Sequence, residues 1–172
     1  MEDFRAYVDE NADRFLDQLK KLCAQPSVAA QAIGTRETAQ MVLGMLKAIG
    51  ADAQLVEVAG APPVVYGEIG QGSRTLIIYD HYDVQPPEPL DQWESPPFSP
   101  EIREGFLFCR GVADNKGDLI SRLQAIEALQ TTMGGLPLKI KFVFEGEEEV
   151  GSPHLTQFVD ENKELLLGAD GC

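Results

Sequence analysis

The amino-acid sequence predicts an α/β fold in which a mostly parallel sheet is sandwiched between helices. Two apolar runs, Thr75 to Tyr79 and Leu138 to Phe144, are typical of interior strands of one sheet. Segments with apolar residues at helical spacing precede and separate these runs. Strands that alternate with helices and long loops are the pattern of α/β proteins.

Three segments are predicted to be helices. Apolar residues recur at helical spacing from position 3 to position 24, and Pro26 ends the pattern. A second helix is expected over 35–49, with a capping threonine at its start and a glycine after its end. A third helix is expected over 118–130.

Shorter strands are expected at 53–58, 64–69 and 106–110. The run from Leu138 to Phe144 carries lysines at alternate positions, so one face of that strand is expected to be wetter. A proline-rich loop over 86–100 follows the first apolar run.

Composition excludes several functional classes. The chain has 172 residues and a formal net charge of −14, from 28 acidic and 14 basic residues. This length suits about one domain. Nucleic acid is not expected as a partner, because phosphate binding requires clustered cations. No apolar stretch approaches the ~20 residues of a membrane span, and the amino terminus lacks a leader pattern.

The cysteines, Cys23, Cys109 and Cys172, are odd in number and lack C-x-x-C spacing. Neither a disulfide framework nor a cysteine zinc site is therefore indicated. Reduced thiols favour a cytoplasmic location. Cys109 is expected to pack in a strand rather than to react.

Polar residues follow both apolar runs. His81 and Asp83 come directly after the first run, and three consecutive glutamates, 147–149, come after the second. Asp114 lies between them in a glycine-flanked segment that leads into a helix. Open α/β sheets carry their functional groups at the carboxyl ends of strands. These side chains are therefore expected to converge on one edge of the sheet.

An imidazole beside several carboxylates suits zinc, manganese or cobalt. A metal-bound imidazole commonly donates its other N–H to a carboxylate, and Asp83 lies on the same side of an extended chain as His81. Each residue alone also has a structural interpretation, as a structural histidine, as a turn or cap aspartate, or as a solvated glutamate face. Three glutamates after a buried strand repel one another, however, and a cation offsets this repulsion.

Four sequence blocks carry a resemblance to a known family. They are His81 to Pro86, Trp93 with Pro97-Phe98, Arg110 to Gly117, and Glu145 to Ser152. In order and spacing they resemble the dinuclear zinc metallopeptidases, which include carnosinases, bacterial dipeptidases, aminoacylases, succinyl-diaminopimelate desuccinylases and glutamate carboxypeptidases. The resemblance covers essentially the whole chain. The wording from Tyr82 to Pro86 is more similar to the dipeptidase and carnosinase branch than to the deacetylase branch.

The resemblance implies a role for each polar residue of these blocks. His81 would ligate one metal ion, Asp114 would bridge two ions, and Glu149 would ligate the second ion. Asp83 would orient His81 without touching the metal. Glu148 would be the general base that takes a proton from the water between the ions.

Neighbouring polar residues are expected to have no such role. Glu147 occupies a position that varies in similar proteins, and His154 is expected on a helix surface because it has no counterpart among the family's ligands. Asp170 lies shortly before the place where similar proteins supply a further carboxylate. The resemblance also implies a cis peptide bond after Asp114.

The resemblance further implies two divalent ions, zinc first, with cobalt and manganese as alternatives. Residues 1–172 are expected to be the amino-terminal part of a catalytic domain, and a further carboxylate and a late histidine are expected beyond Cys172. A lid domain, through which similar proteins often form homodimers, is expected there as well. The full-length protein is then expected to hydrolyse a peptide or N-acyl amide bond in a small substrate.

Two alternatives stay open. The substrate class is either a peptide or an N-acyl amino acid. The chain by itself is either part of an enzyme or an incompetent fragment or scaffold that binds metal weakly without turnover, because each ion would lack one expected ligand. The sequence lacks the nucleotide-binding, serine-hydrolase and H-E-x-x-H motifs, so those functions are not supported.

Overall fold

The computed structural model describes residues 2–172, so Met1 of the predicted domain lies outside the described residues. The helices are α1 (Glu2–Glu10), α2 (Ala12–Ala24), α3 (Thr35–Ala48), α4 (Lys116–Met133), α5 (Leu155–Glu161) and α6 (Lys163–Leu166). The strands are β1 (Asp52–Val56), β2 (Val64–Ile69), β3 (Thr75–His81), β4 (Glu101–Arg103), β5 (Phe106–Phe108) and β6 (Lys139–Glu145). The fold class is α/β, as predicted.

The main sheet has four strands in the order β1-β2-β6-β3, and it is mixed. Strands β3 and β6 are parallel, but β1 pairs antiparallel with β2, and β2 pairs antiparallel with β6. The prediction of a mostly parallel sheet is therefore wrong for the described strands. Apolar runs report burial rather than the direction of a neighbour. The connection over 57–63 is too short for a parallel crossover, which takes about a dozen residues.

Strands β3 and β6 belong to one sheet, as predicted, and they are neighbours in it, but of these two strands only β6 is interior. Strand β3 is last in the described order, and its residues Leu76 and Tyr79 are 38% and 37% exposed. On the outer side of β3, Gly171 forms an isolated parallel bridge with Leu76. The apolar composition of β3 does not distinguish an edge strand from an interior one, because strand order depends on distant segments.

The segment predicted as one helix over 3–24 forms two helices, with Asn11 between them. The Asn11 side chain donates to the carbonyl of Tyr7 at 2.8 Å and accepts from Arg14 at 3.0 Å. Asparagine side chains compete in this way with the backbone hydrogen bonds of a helix. Apolar spacing alone does not reveal such a break. The helices predicted over 35–49 and 118–130 are confirmed as α3 and α4.

Helices cover both faces of the main sheet. Leu123 of α4 packs in one apolar cluster with Phe142, and Phe158 of α5 packs in a second cluster with Val143. Phe142 and Val143 are successive residues of β6, so their side chains point to opposite faces. The sheet is therefore sandwiched between helices, as predicted.

The wetter face expected for β6 is not found at Lys141, which is 5% exposed. Its Nζ donates to the carbonyls of Leu165 and Leu167 at 2.7 and 2.8 Å. These carbonyls lie at the end of α6, where cationic side chains commonly bind unpaired carbonyl groups. Lys141 therefore fixes α6 onto the sheet instead of facing water.

A separate two-stranded sheet lies in the loop between β3 and α4. Strands β4 and β5 pair antiparallel around Glu104 and Gly105, which both have positive φ, 52° and 83°. Two successive residues with positive φ match the twist of a tight hairpin. The strand predicted over 106–110 is thus present in its first half.

In the part of the chain that the structure describes, no helix combines the length and apolar character needed to cross a membrane.

Candidate metal centre

The candidate site lies at the carboxyl ends of β3 and β6. These strands are parallel, and His81 stands opposite Glu145 in their register, so the segments that follow them leave the sheet at the same edge. The loop before α4 brings Asp114 to this edge. The three polar segments that the sequence predicts to converge are therefore close together. This is the edge at which open α/β sheets carry their functional groups.

Three side chains form a cluster at this edge. His81, Asp114 and Glu149 each offer one ligand atom, and these atoms lie within 4.8 Å of one another. His81 Nε2 is 3.1 Å from Asp114 Oδ1. One imidazole and two carboxylates form a donor set that suits a divalent transition metal. The donor types and their spacing thus fit a metal ion, and these are the residues that the resemblance implies as ligands.

The three residues differ in burial. The His81 side chain is 7% exposed, whereas the Asp114 side chain is 73% exposed. Glu149 is half-buried, and its Oε2 accepts a hydrogen bond from Gln85 Nε2 at 2.7 Å. The cluster is therefore bounded by the sheet on the side of His81 and open to solvent on the side of Asp114.

Asp83 connects two segments of the cluster. Its side chain is fully buried, and Oδ1 lies 3.4 Å from His81 Nδ1. The same carboxylate accepts hydrogen bonds from the backbone N–H groups of Glu148 and Glu149, both at 3.1 Å. The sequence indicates the proximity to His81 but not the two backbone contacts. One carboxylate therefore fixes both the imidazole and the acidic segment.

The surroundings of His81 favour positive charge. Burial lowers the pKa of His81, but the hydrogen bond and charge of Asp83, together with the charges of Glu148 and Asp114, raise the pKa to about 9. Carboxylates that stabilise a proton on an imidazole also stabilise a cation beside it. The electrostatic field at the cluster is therefore suited to a metal ion.

The three consecutive glutamates point to different partners. Glu147 Oε2 is 2.8 Å from His154 Nδ1, and the Glu147 side chain is 14% exposed. Glu148 Oε2 is 3.8 Å from His81 Nε2, and Glu149 belongs to the cluster. A 3₁₀ turn that begins at Glu148 separates these directions. The second and third glutamates therefore face the cluster, whereas the first faces α5.

Two residues expected to have no ligand role lie away from the cluster. His154 immediately precedes α5, and its side chain is 34% exposed. Asp170 Oδ2 accepts a hydrogen bond from the backbone N–H of Thr75 at 2.7 Å, at the start of β3. His81 ends that strand, so at ~3.3 Å per residue the two positions are ~20 Å apart.

Two buried carboxylates beside the cluster carry no signal in the sequence beyond their position near a predicted ligand. Asp80 accepts hydrogen bonds from the backbone N–H of His81 and from the side chains of Asn115 and Arg122. Glu145, which is 3% exposed, accepts a hydrogen bond from Ser152 Oγ at 2.7 Å. The side-chain partners of Asp80 come from a segment 35 to 42 residues away, so local patterns do not reveal them.

Lys116 is a third buried polar residue without a sequence signal. It is 0% exposed, and its Nζ donates to the carbonyls of Leu22 and Gln25 at 3.1 and 2.6 Å. These carbonyls lie at the end of α2, so Lys116 ties that helix to the loop of Asp114. The peptide bond between Asp114 and Asn115 is cis, as the resemblance implies.

A helix-flanked sheet with this donor set at the carboxyl ends of its strands is the arrangement of a metallohydrolase catalytic domain. Comparison with known proteins agrees with this class. The description of Peptidase family M20/M25/M40 matches residues 77–170, which is more than half of the chain. The chain belongs to this family.

Similar proteins include dipeptidases and a carboxypeptidase. The Cys-Gly metallodipeptidase dug1 of Schizosaccharomyces pombe is 30% identical over 96% of this chain and 38% of its own length. Human carnosine dipeptidase 1 has a crystal structure with a TM-score of 0.91 and 30% identity, over 99% of this chain and 40% of that one. The crystal structure of the metallo-carboxypeptidase Sso-CP2 of Sulfolobus solfataricus matches with a TM-score of 0.85 and 38% identity, over 90% of this chain and 35% of that one. The chain therefore spans at most about two fifths of these relatives.

Proposed function

We propose that the full-length protein hydrolyses a peptide or N-acyl amide bond with two divalent metal ions. The observation that carries this proposal is the cluster of His81, Asp114 and Glu149 at the carboxyl edge of the sheet. Membership of a peptidase family supports the reaction class. A donor set of this kind in an unrelated fold would support metal binding alone.

Each ligand has a distinct part in the proposal. His81 would hold one ion and Glu149 the other, and the exposed carboxylate of Asp114, which lies within 4.8 Å of both ligand atoms, would bridge the two. Zinc is the first candidate, with cobalt or manganese as alternatives, because imidazole and carboxylate donors suit all three. When bound, divalent ions in such a site polarise the substrate carbonyl and lower the pKa of water.

Glu148 is proposed as the general base. Its side chain is 44% exposed, and Oε2 lies 3.8 Å from His81 Nε2, beside the three clustered ligands. A carboxylate in this position takes a proton from the attacking water as the new C–O bond forms, and gives it to the amine as the C–N bond breaks. Asp83 supports this step by holding the backbone of Glu148 and the ring of His81.

Residues 1–172 are proposed to be the amino-terminal part of a longer catalytic domain. Support comes from the comparison, because the chain matches dug1 over 96% of itself but only 38% of that relative. The further carboxylate, the late histidine and a lid domain for dimer formation belong to this part of the proposal. Isolated residues 1–172 should then bind zinc weakly and show no turnover, since incomplete ligand shells compete poorly with water. Two sub-micromolar zinc sites in calorimetric titration would contradict this expectation.

A dipeptide is proposed as the substrate. The names of dug1 and of human carnosine dipeptidase 1 report dipeptide hydrolysis for those proteins, and this supports the same substrate class here. An N-acyl amino acid is the alternative. Turnover of unblocked dipeptides beside N-acetylated amino acids of the same side chain separates the two.

A cytoplasmic location also belongs to the proposal. The three cysteines are free, with Cys23 and Cys109 buried and Cys172 exposed. A hydrogen bond with Cys109, together with burial, raises the pKa of the Cys23 thiol. Buried protonated thiols are unreactive, and free cysteines are typical of reducing compartments.

The acidic segment provides the test of the proposed function. In the full-length protein, Glu148→Gln should keep both metal ions and lower the rate of amide hydrolysis on the order of 10²–10⁴-fold, the usual contribution of a positioned acid–base group. Glu149→Gln should instead lower the metal content, because this carboxylate is a proposed ligand. Metal content is measured by elemental analysis beside the hydrolysis rate.

Glu147→Gln is the matched control, because it changes a glutamate that faces His154 rather than the cluster. It should alter neither metal content nor rate by more than about twofold, since this side chain contacts His154 and none of the clustered ligands. An unchanged rate in Glu148→Gln, or a severe loss in Glu147→Gln, would refute the assignment of roles within the segment.

A further inference from the structure

The three proposed ligands lie on segments that are held in different ways. His81 ends β3, and Glu149 follows β6, the strand that pairs with β3. Asp83 adds two hydrogen bonds between these segments. Asp114 lies in the loop before α4, and this loop contributes no strand to the described sheet. Contacts other than strand pairing must therefore hold Asp114 in place relative to His81.

The carboxylate of Asp114 is itself weakly held. Its side chain is 73% exposed. Within residues 2–172, His81 Nε2, at 3.1 Å, is the one protein group within hydrogen-bond distance of it. An exposed side chain of this kind takes its position from its own backbone. The next two residues along the chain fix that backbone: Lys116 binds it to the end of α2, and Asn115 binds it to β3.

Asp80 provides this connection. Its side chain is fully buried. Oδ1 accepts hydrogen bonds from the backbone N–H of His81, at 3.0 Å, and from Asn115 Nδ2. Oδ2 accepts a hydrogen bond from Arg122 in the second turn of α4. The Asp80 carboxylate thus contacts one proposed ligand, His81, and the residue next to another, Asn115.

The energetics make this a rigid connection. The Asp80 carboxylate is fully buried and lies against the cationic side chain of Arg122. Hydrogen bonds to an ionised carboxylate are shorter and stronger than neutral ones, and in a buried site they are not exchanged with water. Removing the carboxylate would leave Asn115 without this acceptor and the start of α4 without its anchor on β3.

We propose that Asp80 is a positioning residue that holds the Asp114 segment against His81 through Asn115, whereas Asp83 holds the Glu149 segment. Asp80 thus fixes the segment of Asp114, and Asp83 fixes the segment of Glu149. This proposal rests on the proposed function for the ligand role of Asp114, but the fixing of the segment is a property of the chain without metal.

The first test is amide hydrogen exchange of the full-length protein without metal. The reporters for the Asp114 segment are the N–H groups of Lys116 and Leu119, bonded to Gly111 and Asn115. In Asp80→Ala they should exchange about 3- to 10-fold faster, the factor that corresponds to one hydrogen bond. The N–H groups of Glu148 and Glu149, which bind Asp83, should change less than about twofold.

Two further variants make this result specific. Asn115→Ala removes the link and leaves the ion pair of Asp80 with Arg122, so it should reproduce the effect; it also decides the matter if Asp80→Ala does not fold. Glu127→Ala removes a different ion pair of α4, with Arg14. It should not change the ratio of the exchange rates of the Asp114-segment amides to those of Glu148 and Glu149. Equal acceleration of both sets in Asp80→Ala and Asn115→Ala, or the same selective acceleration in Glu127→Ala, would overturn the proposal.

The second test is zinc affinity of the full-length protein, measured by competition with a chelator. Asp80→Ala should lower the affinity about 10- to 100-fold, the usual effect of a residue that supports a ligand. The same change should have little further effect in an Asp114→Asn background but its full effect in a Glu149→Gln background. Equal losses in both backgrounds would overturn the proposal. A wild-type protein that takes up no zinc would refute the proposed function instead, and amide exchange would then decide the positioning role.

Discussion

The two histidines of the chain both lie beside carboxylates, yet their surroundings differ. His81 is buried, and carboxylates from three separate segments surround it. His154 is half-exposed and contacts Glu147, seven residues earlier in the chain. The first arrangement is assembled by the sheet and the loop before α4, whereas the second forms within one short turn. Proximity to a carboxylate therefore does not define a candidate metal ligand, but convergence of distant segments does.

Burial gives this difference its energetic weight. The contact of His154 with Glu147 is reached by solvent on the histidine side, and such contacts contribute about 0–1 kcal/mol, because water screens them and ordering the side chains costs entropy. Around His81, removal of water strengthens every charge interaction. Substitutions at the two histidines should therefore have effects on zinc affinity that differ by orders of magnitude.

The largest effect is expected for His81→Ala. In the full-length protein this change removes a proposed ligand and should lower zinc affinity by more than the ~10- to 100-fold typical of residues that only support a ligand. Chelator competition measures the loss. Affinity within about threefold of wild type would show that His81 is not a ligand, and the comparison between the two histidines would fail.

An intermediate effect is expected for Asp83→Asn. This change keeps the size of the side chain but removes the charge beside His81 Nδ1 and one of the acceptors for Glu148 and Glu149. Zinc affinity should fall about 10- to 100-fold, the range for a residue that orients a metal-bound imidazole. A loss as large as that of His81→Ala would instead place Asp83 among the ligands.

The smallest effect is expected for His154→Ala. Zinc affinity should stay within about twofold of wild type, and the free energy of unfolding, measured in urea, should fall by about 0–1 kcal/mol because a partly exposed contact with Glu147 is lost. The double variant with Glu147→Gln should cost no more than either single change. A fall in zinc affinity comparable to that of Asp83→Asn would mean that the two histidines are coupled.

The sequence predicts the candidate site better than it predicts the sheet. The family resemblance implies His81, Asp114 and Glu149 as ligands, and the structure brings these three side chains together. The mixed pairing of the sheet, the edge position of β3 and the break at Asn11 are not foreseen. Apolar runs report burial of a strand, but its neighbours and their directions depend on segments far away in the chain.

The sequence by itself determined the family, the α/β class and the residue types gathered at the edge of the sheet. Tertiary structure alone decided which of three adjacent glutamates turns towards His154, that Lys141 lies buried under α6, and that Asp80 contacts Asn115 and Arg122. The reason is physical. Residue type and periodicity act over a few positions, whereas a hydrogen bond between buried groups depends on how distant elements pack, and that packing is set by the whole core.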